Sequence, residues 1–370
     1  MATVIDATNL NPCQVVQAGI ETAFLRHPGA QPFGAGAYDA LVSDINRSSF
    51  IQAQSPSTGG GAFAGAPAKV QVTYVPASCS EGEEDLDRCE FPTSEPAFNT
   101  ANITLDNIYN WGFKLSEDEF RSMCEGDVNG VYSKMLLAKY QQAKKGFNKK
   151  IVDSLVTLPG NYPTNGADSL TTPISLPIVT AAGTYLPTGF GLLKSIYNSA
   201  DIYDDPIIVG GRGIPELAVN SLRYSAPNTV PGYNVAGGLP NLYLDGTLND
   251  AFGDGDNHLL TWAPGAIQLL EWYANAGTWG WEETITRNGV QAFKEQYTTI
   301  VTPDGITWDF SYKFDCGVHY YKFSKIFGVA PMPSDAFGVC RDYNYILNFL
   351  ATCGALDCED INSALAPAVS

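Results

Sequence analysis

The sequence is short of charged side chains, and above all of basic ones. Charged residues make up 16% of the chain, against about 25% in ordinary soluble domains. Lys and Arg number 21 and Asp and Glu 39, which gives 370 residues a formal net charge of −18. This acidity argues against an extended basic surface that wraps nucleic acid. So little charge indicates either a large area of subunit interface or a neutral polar exterior, and composition leaves both open.

Long apolar runs and targeting signals are also missing. No stretch of about 18 uninterrupted apolar residues occurs, so we expect no membrane-spanning helix. Residues 1–11 lack the basic and apolar regions of a secretion signal, so we expect no export by that route. The eight cysteines form no Cys-x-x-Cys pair and have no zinc-like spacing with histidine, which predicts free thiols.

Groups for catalysis are scarce. The only histidines are His27, His258 and His319, and none lies beside a recognisable nucleophile motif. The segment from Asp250 to His258 carries three aspartates and a histidine but lacks the full calcium-loop pattern, so we interpret it as a solvated loop. We therefore expect no enzyme, no metal and no cofactor. A hydrolase whose carboxylates converge only in three dimensions stays open as an alternative.

The residues that are present favour an α+β fold. The chain is 45% hydrophobic, which suffices for a sizeable core, and its 36 Gly and 23 Pro indicate many turns and strands. Residues 1–66 read as an arm with weakly helical pieces at 13–25 and 38–45. Alternating residues then predict strands at 69–76 and 102–105, joined as a long hairpin. Between them, residues 79–95 carry seven acidic residues and one arginine.

The strongest helical signal lies between residues 130 and 158. Ser116 and Glu119 have the spacing of a capping box, which predicts a short helix before it. The long helix has an apolar stripe at Leu136, Tyr140, Ala143, Phe147 and Ile151. Its other face is predicted to be exposed and basic, through Lys134, Lys139, Lys144, Lys145, Lys149 and Lys150.

The second half of the chain alternates strand and helix signals. We predict a helix from Thr188 to Ser199, a strand at 206–209 and another at 258–263, with the apolar residues 266–273 repeating the strand-to-helix pattern. Thr307 to Phe314 has a strict period of two and should pair with 318–326, and a turn at Pro303 to Gly305 leads into it. Residues 341–370 are predicted as a short helix and a tail.

This order of elements resembles the major capsid proteins of tailed phages, which share the Hong Kong 97-like capsid fold. Four segments look like phage capsid sequences: 113–120, 206–211, 262–268 and 305–310. The resemblance implies six parts, namely an N-terminal arm (1–66), an extended β-hairpin loop (67–112), a peripheral domain with a spine helix (113–158), an axial domain (159–290), return strands of the peripheral domain (291–340) and a C-terminal segment (341–370).

The resemblance also implies a function. Such a protein is structural and assembles with copies of itself into hexamers and pentamers, which form the icosahedral head around a DNA genome. Its implied partners are portal and scaffolding or cement proteins and, without sequence specificity, packaged DNA on the inner face. It would be assembled in the host cytoplasm, with no membrane partner. Some relatives crosslink Lys to Asn, but no such pair is assigned here.

In that family the extended loop lies over a neighbouring subunit's peripheral domain. We therefore predict that the acidic residues of the loop contact the lysines of the long helix in an adjacent subunit. The acidic residues are Glu81, Glu83, Glu84, Asp85, Asp87 and Glu90. Packaged DNA is the rival partner for the lysines. Another virion component, such as a tail or decoration protein, and a β-rich surface-binding module stay open as alternatives, although the latter needs no long basic helix.

Overall fold

The computed structural model has the expected α+β architecture, with three β-sheets. It describes residues 36–45, 51–53, 69–76, 98–119, 131–160, 170, 172–179, 189–199, 202–215, 217, 242–253, 257–273, 283–287, 290–302, 304–337 and 345–352. No helix in these segments is long and apolar enough to cross a membrane.

The main elements of the described segments are four helices and fourteen strands. The helices are α1 (Ala37–Ile45), α2 (Val131–Leu155), α3 (Gly189–Asn198) and α4 (Leu248–Phe252). The strands are β1 (Ile51–Ala53), β2 (Lys69–Tyr74), β3 (Asn99–Thr104), β4 (Asn107–Ser116), β5 (Ile174–Pro177), β6 (Ile207–Gly210), β7 (Leu242–Leu244), β8 (His258–Trp262), β9 (Ile267–Trp272), β10 (Glu283–Arg287), β11 (Val290–Val301), β12 (Thr307–Asp315), β13 (Val318–Pro331) and β14 (Ile346–Thr352). A 3₁₀ turn covers Ser334–Phe337.

The largest sheet is antiparallel and is centred on the long strand β13. Its order is β10-β11-β12-β13-β4, and β9 pairs with the C-terminal part of β13. Both predicted strands at its centre are confirmed: Tyr312 of β12 pairs with Tyr321 of β13. The predicted turn before β12 is present, and Gly305 there has a φ of +82°, which glycine adopts without strain.

Helix α2 packs across one face of this sheet. The ring of Phe147 lies 5.4 Å from that of Trp308 and 5.5 Å from that of Phe327. Every residue of the predicted apolar stripe is buried, because the stripe repeats at helical spacing and the sheet covers it. On the sheet, Trp111 and Phe323 stack with ring centroids 3.9 Å apart. Helix and strands thus form one aromatic core, and the predicted long helix is confirmed.

The hairpin of β2 and β3 packs on the opposite face of the same sheet. Both strands are antiparallel, as predicted, and β1 adds a third strand to β2. The alternating residues Val70, Val72 and Tyr74 are buried against Leu270 and Met332. Residues 107–112, expected in the hairpin loop, instead form the first part of β4 in the large sheet.

A five-stranded sheet, β5-β14-β8-β6-β7, is formed by strands between residues 174 and 352. Two predicted helices are strands in the structure. The short helix expected after residue 341 is wrong where the structure describes it, because 346–352 forms the buried strand β14. The helix expected at 266–273 is wrong as well, because this segment is β9. Continuous apolar runs do not distinguish a strand buried on both faces from a buried helix.

Helix α1 lies inside the core, although it belongs to the segment predicted as an arm. Asp44 accepts hydrogen bonds from the Trp262 indole nitrogen (2.9 Å) and from the Gly265 amide (2.8 Å). At the other end of α1, the Ala37 amide donates to Asp245 at 2.9 Å. These bonds join α1 to the five-stranded sheet, beside β7 and β8, and to the turn before β9, so contacts within its own chain fix its position.

Candidate functional site

The capping box before α2 forms as predicted. The Ser116 amide donates to Glu119 at 2.7 Å, and the Glu119 amide donates to the Ser116 hydroxyl at 3.4 Å. The Ser116 hydroxyl also donates to the Glu119 carboxylate, at 2.9 Å, and the bonds from the Ser116 amide and hydroxyl lower the pKa of Glu119. Residues 117–119 are helical. The chain therefore passes directly from β4 into a helical turn.

The lysines assigned to the exposed face of α2 do not all lie on it. Five of them are exposed or partly exposed: Lys134, Lys139, Lys145, Lys149 and Lys150. The sixth, Lys144, is 3% exposed. Lys144 therefore does not belong to the exposed face of α2, where the sequence predicted it.

Lys144 is held by acidic groups of two other elements. Its Nζ lies 3.1 Å from Asp304, in the turn between β11 and β12, and 3.7 Å from Asp39 of α1. The Tyr140 hydroxyl donates to Asp304 at 2.7 Å. The lysine follows the buried residue Ala143, and its long side chain reaches from the edge of the apolar stripe to these carboxylates. Lys144 therefore joins α1, α2 and the sheet within one subunit.

The remaining lysines give α2 a basic exposed face. Lys149 lies 3.4 Å from Asp153 and 4.0 Å from Asp250, and all three side chains are well exposed, so these pairs are weak. Within the described segments, the other four lysines of this face have no carboxylate within 4.0 Å. The face therefore carries positive charge that its own surroundings compensate only in part.

The acidic residues predicted as partners of these lysines lie outside the described residues. They are Glu81, Glu83, Glu84, Asp85, Asp87 and Glu90. The structure does describe the strand ends on either side of this acidic segment. There, the Tyr74 hydroxyl and the Asn99 side-chain amide both donate to Asp335, at 3.2 and 3.3 Å. At this end of the hairpin Phe98 is 65% exposed. The described residues on either side of the acidic segment therefore lie on the hairpin side of the large sheet.

The hairpin contacts the sheet so closely that one position requires glycine. A Cβ on Gly328 of β13 would lie 2.3 Å from the carbonyl oxygen of Thr104 and 3.2 Å from the side chain of Leu105. Real Cβ atoms do not approach a backbone oxygen that closely. Gly328 thus fixes the distance between β3 and β13.

A second buried lysine, Lys325 of β13, was not predicted by any pattern in the sequence. Its side chain is fully buried, and its Nζ lies 2.8 Å from Glu271 and 3.0 Å from the carbonyl oxygen of Thr307. It also lies over the rings of Tyr38 and Tyr273, 5.1 and 5.4 Å from their centroids. Burial lowers the pKa of Lys325, and Glu271 opposes that shift.

Groups suited to catalysis or metal binding do not converge in the described segments. His258 Nδ1 lies 2.8 Å from the Asn348 side-chain oxygen, and His319 Nδ1 lies 2.8 Å from the Tyr312 hydroxyl, both in buried positions. Of the predicted loop, Asp250 lies on α4 and is exposed. No cluster of three or more metal-ligating side chains occurs among the described residues. Cys316 is a free, exposed thiol, as predicted.

The face of the large sheet that bears the hairpin is open at its other end. Three exposed residues lie there on two neighbouring strands. Lys114 of β4 pairs with Tyr320 of β13, and Lys322 follows Tyr320 by two residues on the same face of β13. Lys313 on β12 is paired with Asp315 at 3.4 Å. Strand register brings these lysines together across more than two hundred residues, so sequence spacing alone could not reveal them.

Comparison with known proteins gives matches only at the level of structure. No protein-family model matches the sequence, and no curated protein matches it. A chain of the Cyanophage A-1(L) capsid asymmetric unit is similar in structure, with 9% identity and a TM-score of 0.40; the match covers 76% of this chain and 87% of that one.

Two further phage structures are similar. A chain of Mycobacterium phage Cain has 9% identity and a TM-score of 0.42, with 88% of this chain and 92% of that chain covered. The capsid of Ralstonia phage GP4 has 11% identity and a TM-score of 0.38, with 79% and 86% covered.

Proposed function

We propose that this chain is the major capsid protein of a tailed phage. It would be a structural subunit that assembles into the hexamers and pentamers of an icosahedral head around DNA. The observation that supports this proposal is the stacking of a hairpin, a sheet centred on a long strand, and a 25-residue helix, in the chain order that the capsid resemblance implies.

The proposed layout is Hong Kong 97-like, with a peripheral domain formed by α2 and the large sheet. Three features of the fold refine the ranges implied by the resemblance. Helix α1 packs in the core although it lies in the arm range 1–66. Strand β4 begins the peripheral sheet within the range 67–112, and β9 pairs with β13 although it lies in the axial range 159–290. The peripheral domain therefore draws on more of the chain than 113–158 and 291–340.

The exposed apolar side chains support subunit contacts as the explanation of the low charge. Nine large apolar residues are exposed in the described segments, and four of them are aromatic, the class enriched at interfaces. They are Val75, Phe98, Ile108, Leu192, Tyr203, Leu244, Tyr297, Val301 and Tyr320. Tyr203 is 73% exposed.

The proposed structural role uses no catalytic residue and no cofactor. Both described histidines make buried hydrogen bonds. The buried lysines Lys144 and Lys325 are each paired with a carboxylate. The proposed location is the virion capsid after assembly in the host cytoplasm. The proposed partners are further copies of the chain, portal and scaffolding or cement proteins, and the packaged DNA.

The predicted contact between the acidic residues 81–90 and the α2 lysines of an adjacent subunit stays a prediction. Its lysine side is reduced to five residues, because Lys144 is buried within its own subunit. The remaining five lie on the exposed side of α2, and the hairpin that carries the acidic residues lies on the opposite side of the sheet.

Expression of the chain alone tests the proposed function. The purified protein is examined by size-exclusion chromatography and negative-stain electron microscopy over a range of concentrations. We expect shells, or rings of five or six subunits. A monomer that persists at high concentration would contradict the capsid proposal and favour a surface-binding module.

A further inference from the structure

We propose that the exposed lysine face of α2 binds the phosphate backbone of double-stranded DNA. The contacts come from the four lysines of this face that have no carboxylate within 4.0 Å in the described segments, namely Lys134, Lys139, Lys145 and Lys150. The inference rests on the proposed capsid function for its biological role, since it assigns this face of the subunit to the inside of the shell. The neighbouring subunit's acidic segment is the rival occupant.

The first argument is that four exposed lysines of α2 have no acidic partner in the described segments. Lys149 shares its charge with Asp153 and Asp250, but the four lysines of the face have no carboxylate within ion-pair distance there. Buried Lys144 is matched by Asp304 and Asp39. Exposed lysines without a local counter-charge attract polyanions, and phosphate contacts of this kind need no base recognition.

The second argument is spacing along the helix. Lys134 and Lys145 are eleven residues apart, as are Lys139 and Lys150, and eleven residues make about three helical turns. Each pair therefore lies along one side of α2, with about 16 Å between its members. The two pairs lie about 140° apart around α2, because five residues separate Lys134 from Lys139. Duplex DNA presents one phosphate per about 1.7 Å of its axis, so a duplex that lies along the exposed side of α2 meets one lysine pair on each flank.

The third argument separates DNA from the acidic segment. Helix α2 covers the face of the large sheet formed by Phe323 and Phe327, whereas the hairpin packs at Gly328, on the other face. In a shell one subunit thick, all hairpins lie on one surface and all α2 helices on the other. The described residues that flank the acidic segment, 76 and 98, then lie on the surface opposite to α2, which leaves the α2 side to face the genome.

The test measures DNA binding by unassembled subunits with a labelled duplex in a salt series. The Lys139→Gln/Lys145→Gln variant is compared with wild type by fluorescence anisotropy. We expect binding about tenfold weaker or more at low salt, and a slope of log affinity against log salt that is smaller by about two, one for each lost phosphate contact.

The matched control is Lys114→Gln/Lys322→Gln, which removes the same charge from the opposite face of the domain. We expect its DNA affinity to stay within about twofold of wild type. Equal loss in both double variants would overturn the proposal, because it would reduce the effect to net charge. Unchanged DNA binding in the α2 variant would overturn it too.

Assembly of the same variants decides between the two occupants. We expect the α2 double variant to form the same shells or rings as wild type. An α2 variant that binds DNA normally but no longer assembles would overturn the proposal in favour of the acidic segment. Failure of wild type to assemble would instead overturn the capsid function, whatever the DNA measurements show.

Discussion

The Nζ of Lys144 lies 3.1 Å from a carboxylate oxygen of Asp304, while the next residue, Lys145, points to solvent. Two adjacent lysines on one helix therefore have different roles. One joins α2 to the β11–β12 turn and to α1, and the other belongs to the exposed face.

The first prediction concerns this pair of neighbours. Lys144→Ala leaves Asp304 and Asp39 without their cation in a mostly buried site, so we expect a loss of about 3–5 kcal/mol in the free energy of unfolding. The control, Lys145→Ala, should change it by no more than about 0.5 kcal/mol. Urea unfolding followed by tryptophan fluorescence measures both. Equal effects of the two substitutions would contradict the different roles.

The second prediction concerns Lys325. Lys325→Met removes the cation from Glu271 in the core and should destabilise the protein by about 3–5 kcal/mol. The double variant Lys325→Met/Glu271→Gln should be less destabilised than the sum of the single variants, because neither charge is then left alone. Lys322→Met, on the exposed face of the same strand, is the control. Additive single effects in urea unfolding would show that the pair is not coupled.

The third prediction concerns the pH dependence that Asp39 contributes. Burial raises the pKa of Asp39 above its ordinary value of 3.8, Asp304 adds to the rise and Lys144 opposes it. A carboxyl with a raised pKa in the folded state stabilises that state below its ordinary pKa, and this contribution is lost as pH rises through the raised value. Wild type should therefore lose stability relative to Asp39→Asn as pH rises from about 4. A difference that is constant with pH contradicts this.

The fourth prediction concerns the packing of the hairpin. Gly328→Ala would place a methyl group against the Thr104 carbonyl, so we expect a loss of about 1–3 kcal/mol and faster hydrogen exchange at the β3 amides. Ser324→Ala, on the same face of β13, should change stability by about 0.5 kcal/mol at most. Unchanged exchange in β3 would contradict close packing at this position.

Local patterns predicted the elements whose residues alternate or repeat at fixed intervals. The stripe from Leu136 to Ile151 identified the buried face of α2, and the period of two identified β12, because each has one covered face. The same reasoning failed for β9 and β14. Both strands are covered on both sides, so their apolar runs carry no period.

The candidate site was predicted only in part, because charge on a helix does not show what lies opposite. Lys144 and Lys145 are indistinguishable in sequence, and only the position of Asp304, 160 residues later, separates them. The same holds for Lys325, whose counter-charge Glu271 lies on another strand of the sheet. The order of the elements, by contrast, was sufficient to indicate the capsid resemblance.

The position of α1 determines when the core can form during synthesis of the chain. Tyr38 contacts Lys325, 287 residues later in the chain, and Asp44 contacts Trp262, 218 residues later. At roughly 5–20 residues per second, a ribosome needs about 15–60 s between the two ends of the first contact. During that interval α1 is already made, but the groups that receive it are not. The core can therefore close only after nearly all of the chain has been synthesised.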